Sequence, residues 1–136
     1  MSFAKIVIIY FLSLVVFLLI DSIWLLKVSP KLYKSNIGHL MADKPQLWAA
    51  LVFYLIFIAG LLALVLIPAL NNNNFAHAAI YGAVFGLVTY ATFDLTSQAV
   101  FKDWPIKITM IDLIWGMSIT TAVTVIVYWL SEKFVV

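Results

Sequence analysis

Leu47-Trp-Ala-Ala-Leu-Val-Phe-Tyr54-Leu-Ile-Phe-Ile-Ala-Gly60-Leu-Leu-Ala-Leu-Val-Leu-Ile-Pro68-Ala-Leu70 carries no charge from end to end. A run this long and apolar matches the ~20 residues a helix needs to cross hydrocarbon. Working outward, three further segments read the same way. They cover about 4–28, ended by Ser29-Pro30, about 74–101 and about 105–131; the opening run extends the second span to about 45–70, with Pro45 suited to a first helical turn. The pattern predicts an all-α integral membrane four-helix bundle, a single transmembrane domain over 1–136. Composition agrees: 65% of the 136 residues are hydrophobic, more than a soluble domain of this size has interior to hide. The first segment is too long for a signal peptide, and Ser22–Trp24 offers no small-residue cleavage site, so it reads as a retained helix.

The chain has no cysteine, which excludes disulfides and thiolate chemistry. Its basic residues are all lysine and form no stripe, so nucleic acid is not an expected partner. Four spans put both termini on one side, with Lys5, Lys133 and the uncharged Asn71–Asn74 turn. The other side holds Lys27, Lys31, Lys34, Lys44, Lys102 and Lys107. The positive-inside rule then sets the Lys-rich loops in the cytoplasm of a bacterial cell and both termini outside its inner membrane. Between the first two spans, Leu32, Tyr33, Ile37, Leu40 and Met41 follow helical spacing beside Lys31 and Lys34. That pattern predicts an amphipathic cytoplasmic loop resting on lipid headgroups.

Asp21, Asp94 and Asp112 stand alone inside these spans. A carboxylate in hydrocarbon is costly, so each needs a partner, a proton or a job. Asp21 and Asp94 lie seven residues before the expected helix ends at Val28 and Phe101, and Asp112 lies seven after Pro105. At helical rise each sits roughly 10 Å from the same end of the bundle. Asp112 also suits a helix start, with Thr109 as a cap. Tyr90, one turn before Asp94, and Tyr54, Trp24 and Trp115 are candidate donors or pocket walls; Thr96 and Gln98 add polar groups below. Trp48, Trp104, Tyr128 and Trp129 read as interfacial belt residues.

Gly82 and Gly86 form a GxxxG step suited to close helix packing or to a contact between copies of the chain, and Gly116 is a further packing glycine. Lys27, Lys102 and Lys107 are within reach of the acids, although lysine near a helix end usually snorkels to headgroups. Neither His39 nor His77 has a second ligand at metal-binding spacing, so no metal site is expected. The pentad Ile20-Asp-Ser-Ile-Trp24 echoes Ile111-Asp-Leu-Ile-Trp115 on helices of opposite direction. Simple duplication does not produce that relationship, which leaves chance or a shared local requirement.

Several stretches together are similar to one family. They are Asp21-Ser-Ile-Trp24-Leu25, Phe53-Tyr54 with Gly60, Gly82 with Phe85-Gly86-Leu87, Tyr90-Ala-Thr-Phe-Asp94-Leu-Thr96, Lys102-Asp-Trp104-Pro105 and Asp112-Leu-Ile-Trp115-Gly116. The chain resembles, over nearly its whole length, the small bacterial membrane proteins grouped as domain of unknown function 2177. The resemblance implies a four-helix membrane protein and brings no substrate, cofactor or mechanism. Ser97 stands where that family's pattern more often has asparagine.

Three functions compete. The first is a binding or transport protein whose acid layer holds a proton, a cation or a cationic solute, working as a homo-oligomer. The second is a membrane enzyme acting on a lipid or isoprenoid through carboxylate acid/base chemistry. The third is a structural subunit of a membrane complex. The lipid bilayer is the partner common to all three.

Overall fold

The computed structural model describes every residue from Met1 to Val136 and contains helices and turns only. Helix α1 (Phe3–Ile23) passes through one wide π turn (Trp24–Val28) into α2 (Ser29–Ile37). Helix α3 (Leu47–Leu61) passes through a second π turn (Leu62–Leu66) into α4 (Ile67–Asn71). Helices α5 (Phe75–Val100) and α6 (Ile106–Phe134) are uninterrupted. Four helical stretches, beginning at Phe3, Leu47, Phe75 and Ile106, are long and apolar enough to cross a membrane.

The π turns explain why Ser29-Pro30 does not stop the first helix, as the sequence suggested it would. Proline has no N–H and its ring clashes with the carbonyl four residues back. Each π turn ends two residues before a proline, Pro30 in one case and Pro68 in the other. The wider turn shifts the local hydrogen-bond register, so the helix bends and continues instead of breaking. Pro45 lies outside helix, and α3 starts two residues later at Leu47.

Side chains satisfy much of what the apolar environment leaves open. Ser2 caps α1 by accepting from the Lys5 N–H at 3.3 Å, and Asn74 caps α5 by accepting from His77 N–H at 3.0 Å. Asn73 takes a left-handed conformation (φ 50°) that closes the turn before α5, a role asparagine fills at low cost. Ser13, Thr92, Ser118 and Thr121 return their hydroxyls to the carbonyl four residues back, which hides them from hydrocarbon.

Helices α5 and α6 pack tightly along their length, and α1 lies against both α6 and α3. The glycines make the α5–α6 seam close. A Cβ on Gly82 would strike Thr124, one on Gly86 would strike the Gly116 carbonyl and Thr120, and one on Gly116 would strike the Tyr90 ring. The Gly82/Gly86 face is therefore filled by α6 of the same chain and is not free to join two copies. The Gly116 notch also seats Tyr90, which carries the packing into the polar layer.

The segment after the first span is helical, but its apolar side meets protein. Ile37 is buried in a small cluster with Trp104 and Ile108, and Leu32 and Tyr33 pack against it. Lys31 and Lys34 stay exposed. Helix α2 thus folds back over the lysine-rich end of the bundle, where the sequence pattern alone suggested headgroup contact. On the far side Tyr128 is buried and donates to Glu132 Oε1 at 2.9 Å, whereas Trp129 there, and Trp48 at the lysine-rich end, are exposed.

Candidate functional site

Asp94 is completely buried, and neither of its carboxyl oxygens has a hydrogen-bond partner. It projects from α5 next to Asp112 of α6, six residues inside each helix end, or ~9 Å at helical rise. Asp21 of α1 reaches the same space, and all three acids line one cavity of about 520 Å³.

Two acids have phenolic partners. Tyr54 of α3 donates to Asp21 Oδ2 at 2.8 Å. Tyr33 of α2 donates to Asp112 Oδ1. A hydroxyl that hydrogen-bonds a carboxyl offsets part of its desolvation. Tyr90 lies within electrostatic range of all three acids. The Trp115 indole N–H lies beside Asp21 without closing a hydrogen bond.

Aromatic rings form most of the remaining wall. Trp24 and Trp115 stack at 4.3 Å with their planes 11° apart. Phe93 meets Trp104 edge-on at 5.6 Å. Phe53, Tyr54 and Tyr90 complete the aromatic lining.

No cation enters. The lining holds no lysine, arginine or histidine. Lys27, Lys102 and Lys107 are exposed, and the chain's one acid–base pair is the exposed His39–Asp103 contact at 4.0 Å. Of the two arrangements open to these lysines, the reach toward the acids is not the one adopted; turning toward water costs a long cationic side chain less. No three carboxylate or imidazole groups converge as a metal-ligand set.

Among the residues singled out from sequence, Asp21, Asp94, Asp112, Tyr54, Tyr90, Trp24 and Trp115 line the cavity together. Gln98 does not line it but braces it. Its Nε2 donates to the Trp104 carbonyl at 2.7 Å, and its Oε1 accepts from Thr109 Oγ1 at 2.8 Å. The Trp104 indole donates to the same Thr109 hydroxyl at 3.1 Å. Thr109 therefore locks the α5–α6 turn and caps nothing: α6 begins at Ile106, leaving Asp112 two turns inside. Thr96 is exposed and lies outside the cavity.

Tyr33, Trp104, Phe53 and Phe93 were not selected from sequence as site residues. Tyr33 belonged to a segment read as membrane-facing, and Trp104 sat where belt tryptophans sit. Trp104 is in fact 9% exposed, because the Gln98–Thr109 bridge draws the turn inward over the acids. The readable signal was adjacency: Phe53 and Phe93 directly precede Tyr54 and Asp94.

No curated protein and no solved structure matches the chain. A family model described as a predicted membrane protein, domain of unknown function 2177, matches residues 6–129. The chain is a membrane protein of that family.

Proposed function

We propose that the chain binds, and in the membrane transports, an organic cation at the Asp21–Asp94–Asp112 cavity. The observation that carries this reading is Asp94, fully buried with both oxygens unpartnered, in a cavity whose walls supply no positive charge. Uncompensated negative charge in an apolar site is costly, and a bound proton or cation offsets it. The aromatic walls add the quadrupole attraction that favours weakly hydrated organic cations. Asp21 and Asp112 each accept from a tyrosine, which leaves Asp94 as the acid without a donor and the one a cationic head would satisfy.

The reading carries an orientation. The lysine-rich end, and the cavity beneath it, face the cytoplasm of a bacterial inner membrane, with both termini outside. A second reading has one supporting observation: two neighbouring carboxyls, Asp94 and Asp112, suit acid/base chemistry on a lipid. Lipid extracts from deletion and Asp94→Asn strains decide it, since a lipid enzyme leaves a changed profile in both.

The direct test is purified protein in liposomes loaded with labelled tetramethylammonium. Wild-type protein should exchange the label, Asp94→Glu should retain exchange, and Asp94→Asn should abolish it. Exchange no faster than in empty liposomes removes the transport reading. Equilibrium binding indifferent to Asp94→Asn removes the site.

A further inference from the structure

The cavity is not sealed on the side of α3. Helix α3 meets α1 through Tyr54, Leu55 and Phe57; its first residues, Leu47 to Phe53, are exposed, and α5 packs on α6 and not closely on α3. Helices α3 and α5 meet deeper in the bundle, where Phe57 and Phe85 touch edge-on at 5.3 Å. Above that contact Phe53 and Phe93 both line the cavity, yet they are 47% and 60% exposed. Phe53 lies six residues into α3 and Phe93 seven from the end of α5. Both therefore sit ~9–10 Å in from the helix ends at helical rise. A side opening at that depth faces acyl chains, just inside the headgroup layer.

We infer that Phe53 and Phe93 flank a lateral portal through which a single-chain, phosphate-free amine amphiphile enters from the bilayer, its ammonium head reaching Asp94 and its tail lying out between α3 and α5. This inference rests on the cation-site reading and adds the ligand's class and route. Three observations select that class. The lining holds three carboxyls, and Asp94 among them has no hydrogen-bond donor, which suits a cationic head. The absence of any lysine, arginine or histidine in the lining disfavours a phosphate beside the amine, because a buried phosphate would meet only carboxyls. An opening lined by phenylalanine suits hydrocarbon, and a tail left in the acyl layer need not be desolvated again.

The experiment uses the full chain in nanodiscs of uncharged-headgroup lipid. The probe is a dodecyltrimethylammonium ion with a photoreactive diazirine near its tail end. Cross-linked residues are mapped by mass spectrometry, and saturable binding is followed by quenching of the cavity tryptophans. Labelling should concentrate on the facing strips of α3 and α5 around Phe53 and Phe93. Unlabelled dodecyltrimethylammonium should compete, and dodecylphosphocholine, which adds a phosphate to the same head, should not. Labelling should fall at least about tenfold in Asp94→Asn and persist in Asp94→Glu, which reports on charge and guards against a folding artefact.

Saturable, Asp94-dependent binding with cross-links on α2, at Met41 or evenly around the bundle overturns the portal and leaves the cation site standing. Equal competition by dodecylphosphocholine overturns the phosphate-free assignment. Absence of any saturable Asp94-dependent binding, by this probe and by tetramethylammonium, overturns the site reading itself.

Discussion

Trp24 and Trp115 stack face to face, 4.3 Å apart and 11° from parallel, joining the first helix to the last. Each follows its own aspartate by three residues, and the two helices run in opposite directions. The stack accounts for the repeated Ile-Asp-x-Ile-Trp pentad as a shared local requirement: two antiparallel pentads meet through their tryptophans, which puts Asp21 and Asp112 into one cavity. Offset stacking contributes ~0.5–1.5 kcal/mol beyond the area it buries. A double-mutant cycle of Trp24→Leu and Trp115→Leu, read by unfolding in mixed micelles, should return a coupling of that size. Strict additivity of the two single losses would show that the rings do not act as a pair.

The tyrosine donors should matter unequally. Tyr54→Phe leaves an Asp21 oxygen without its partner at a nearly buried site, at a cost of ~1–3 kcal/mol. Tyr10 donates to the Leu55 carbonyl at 2.9 Å, an acceptor that belongs to a helix, so Tyr10→Phe should cost no more than about 1 kcal/mol. Parallel unfolding curves for the two variants check the order. Equal losses would mean that Asp21 does not depend on Tyr54.

Glycine substitutions separate close packing from mere helix propensity. At Gly86 an added methyl runs into backbone at Gly116 as well as Thr120, and backbone cannot swing aside. Gly86→Ala should destabilise by ~1–3 kcal/mol through forced separation of α5 and α6. Gly38 has only the Lys34 stem within ordinary contact and a helical φ of −54°, so Gly38→Ala should be neutral or stabilising by up to ~1 kcal/mol. Thermal melts in detergent compare them. A silent Gly86→Ala would contradict the tight seam.

Orientation is testable because the native chain has no cysteine. Single variants Asn72→Cys and Ser35→Cys place a thiol at an exposed position on opposite ends of the bundle. With the lysine-rich end in the cytoplasm, a membrane-impermeant maleimide added to intact cells should label Asn72→Cys and spare Ser35→Cys until the cells are lysed. The reverse pattern would invert the topology, and with it the side from which the cavity is reached.

The helical class was legible because it depends on local properties: runs of apolar side chains and the absence of charge in the second span. The three aspartates stood out for the same reason, being charges where hydrocarbon was expected. Their packing partners were less legible. Tyr33 and Ile37 follow a helical spacing that fits a lipid surface as well as a protein one, and only the bend before Pro30 turns α2 back over the bundle. Trp104 has the composition and position of an interfacial tryptophan, and a three-residue hydrogen-bond bridge from Gln98 and Thr109 makes it a wall. Thr96 is polar and two residues from Asp94, but two residues along a helix is the opposite face.

By itself, the sequence determined a chain of four membrane-length helices with three lone carboxyls inside them, since hydropathy acts residue by residue. Tertiary structure alone decided which carboxyls found donors, that Asp94 found none, and that one side of the cavity lies open between Phe53 and Phe93. Those outcomes depend on where non-adjacent helices touch and where they part. That is set by glycine notches, proline-driven bends and ring stacking, acting between residues far apart in the chain.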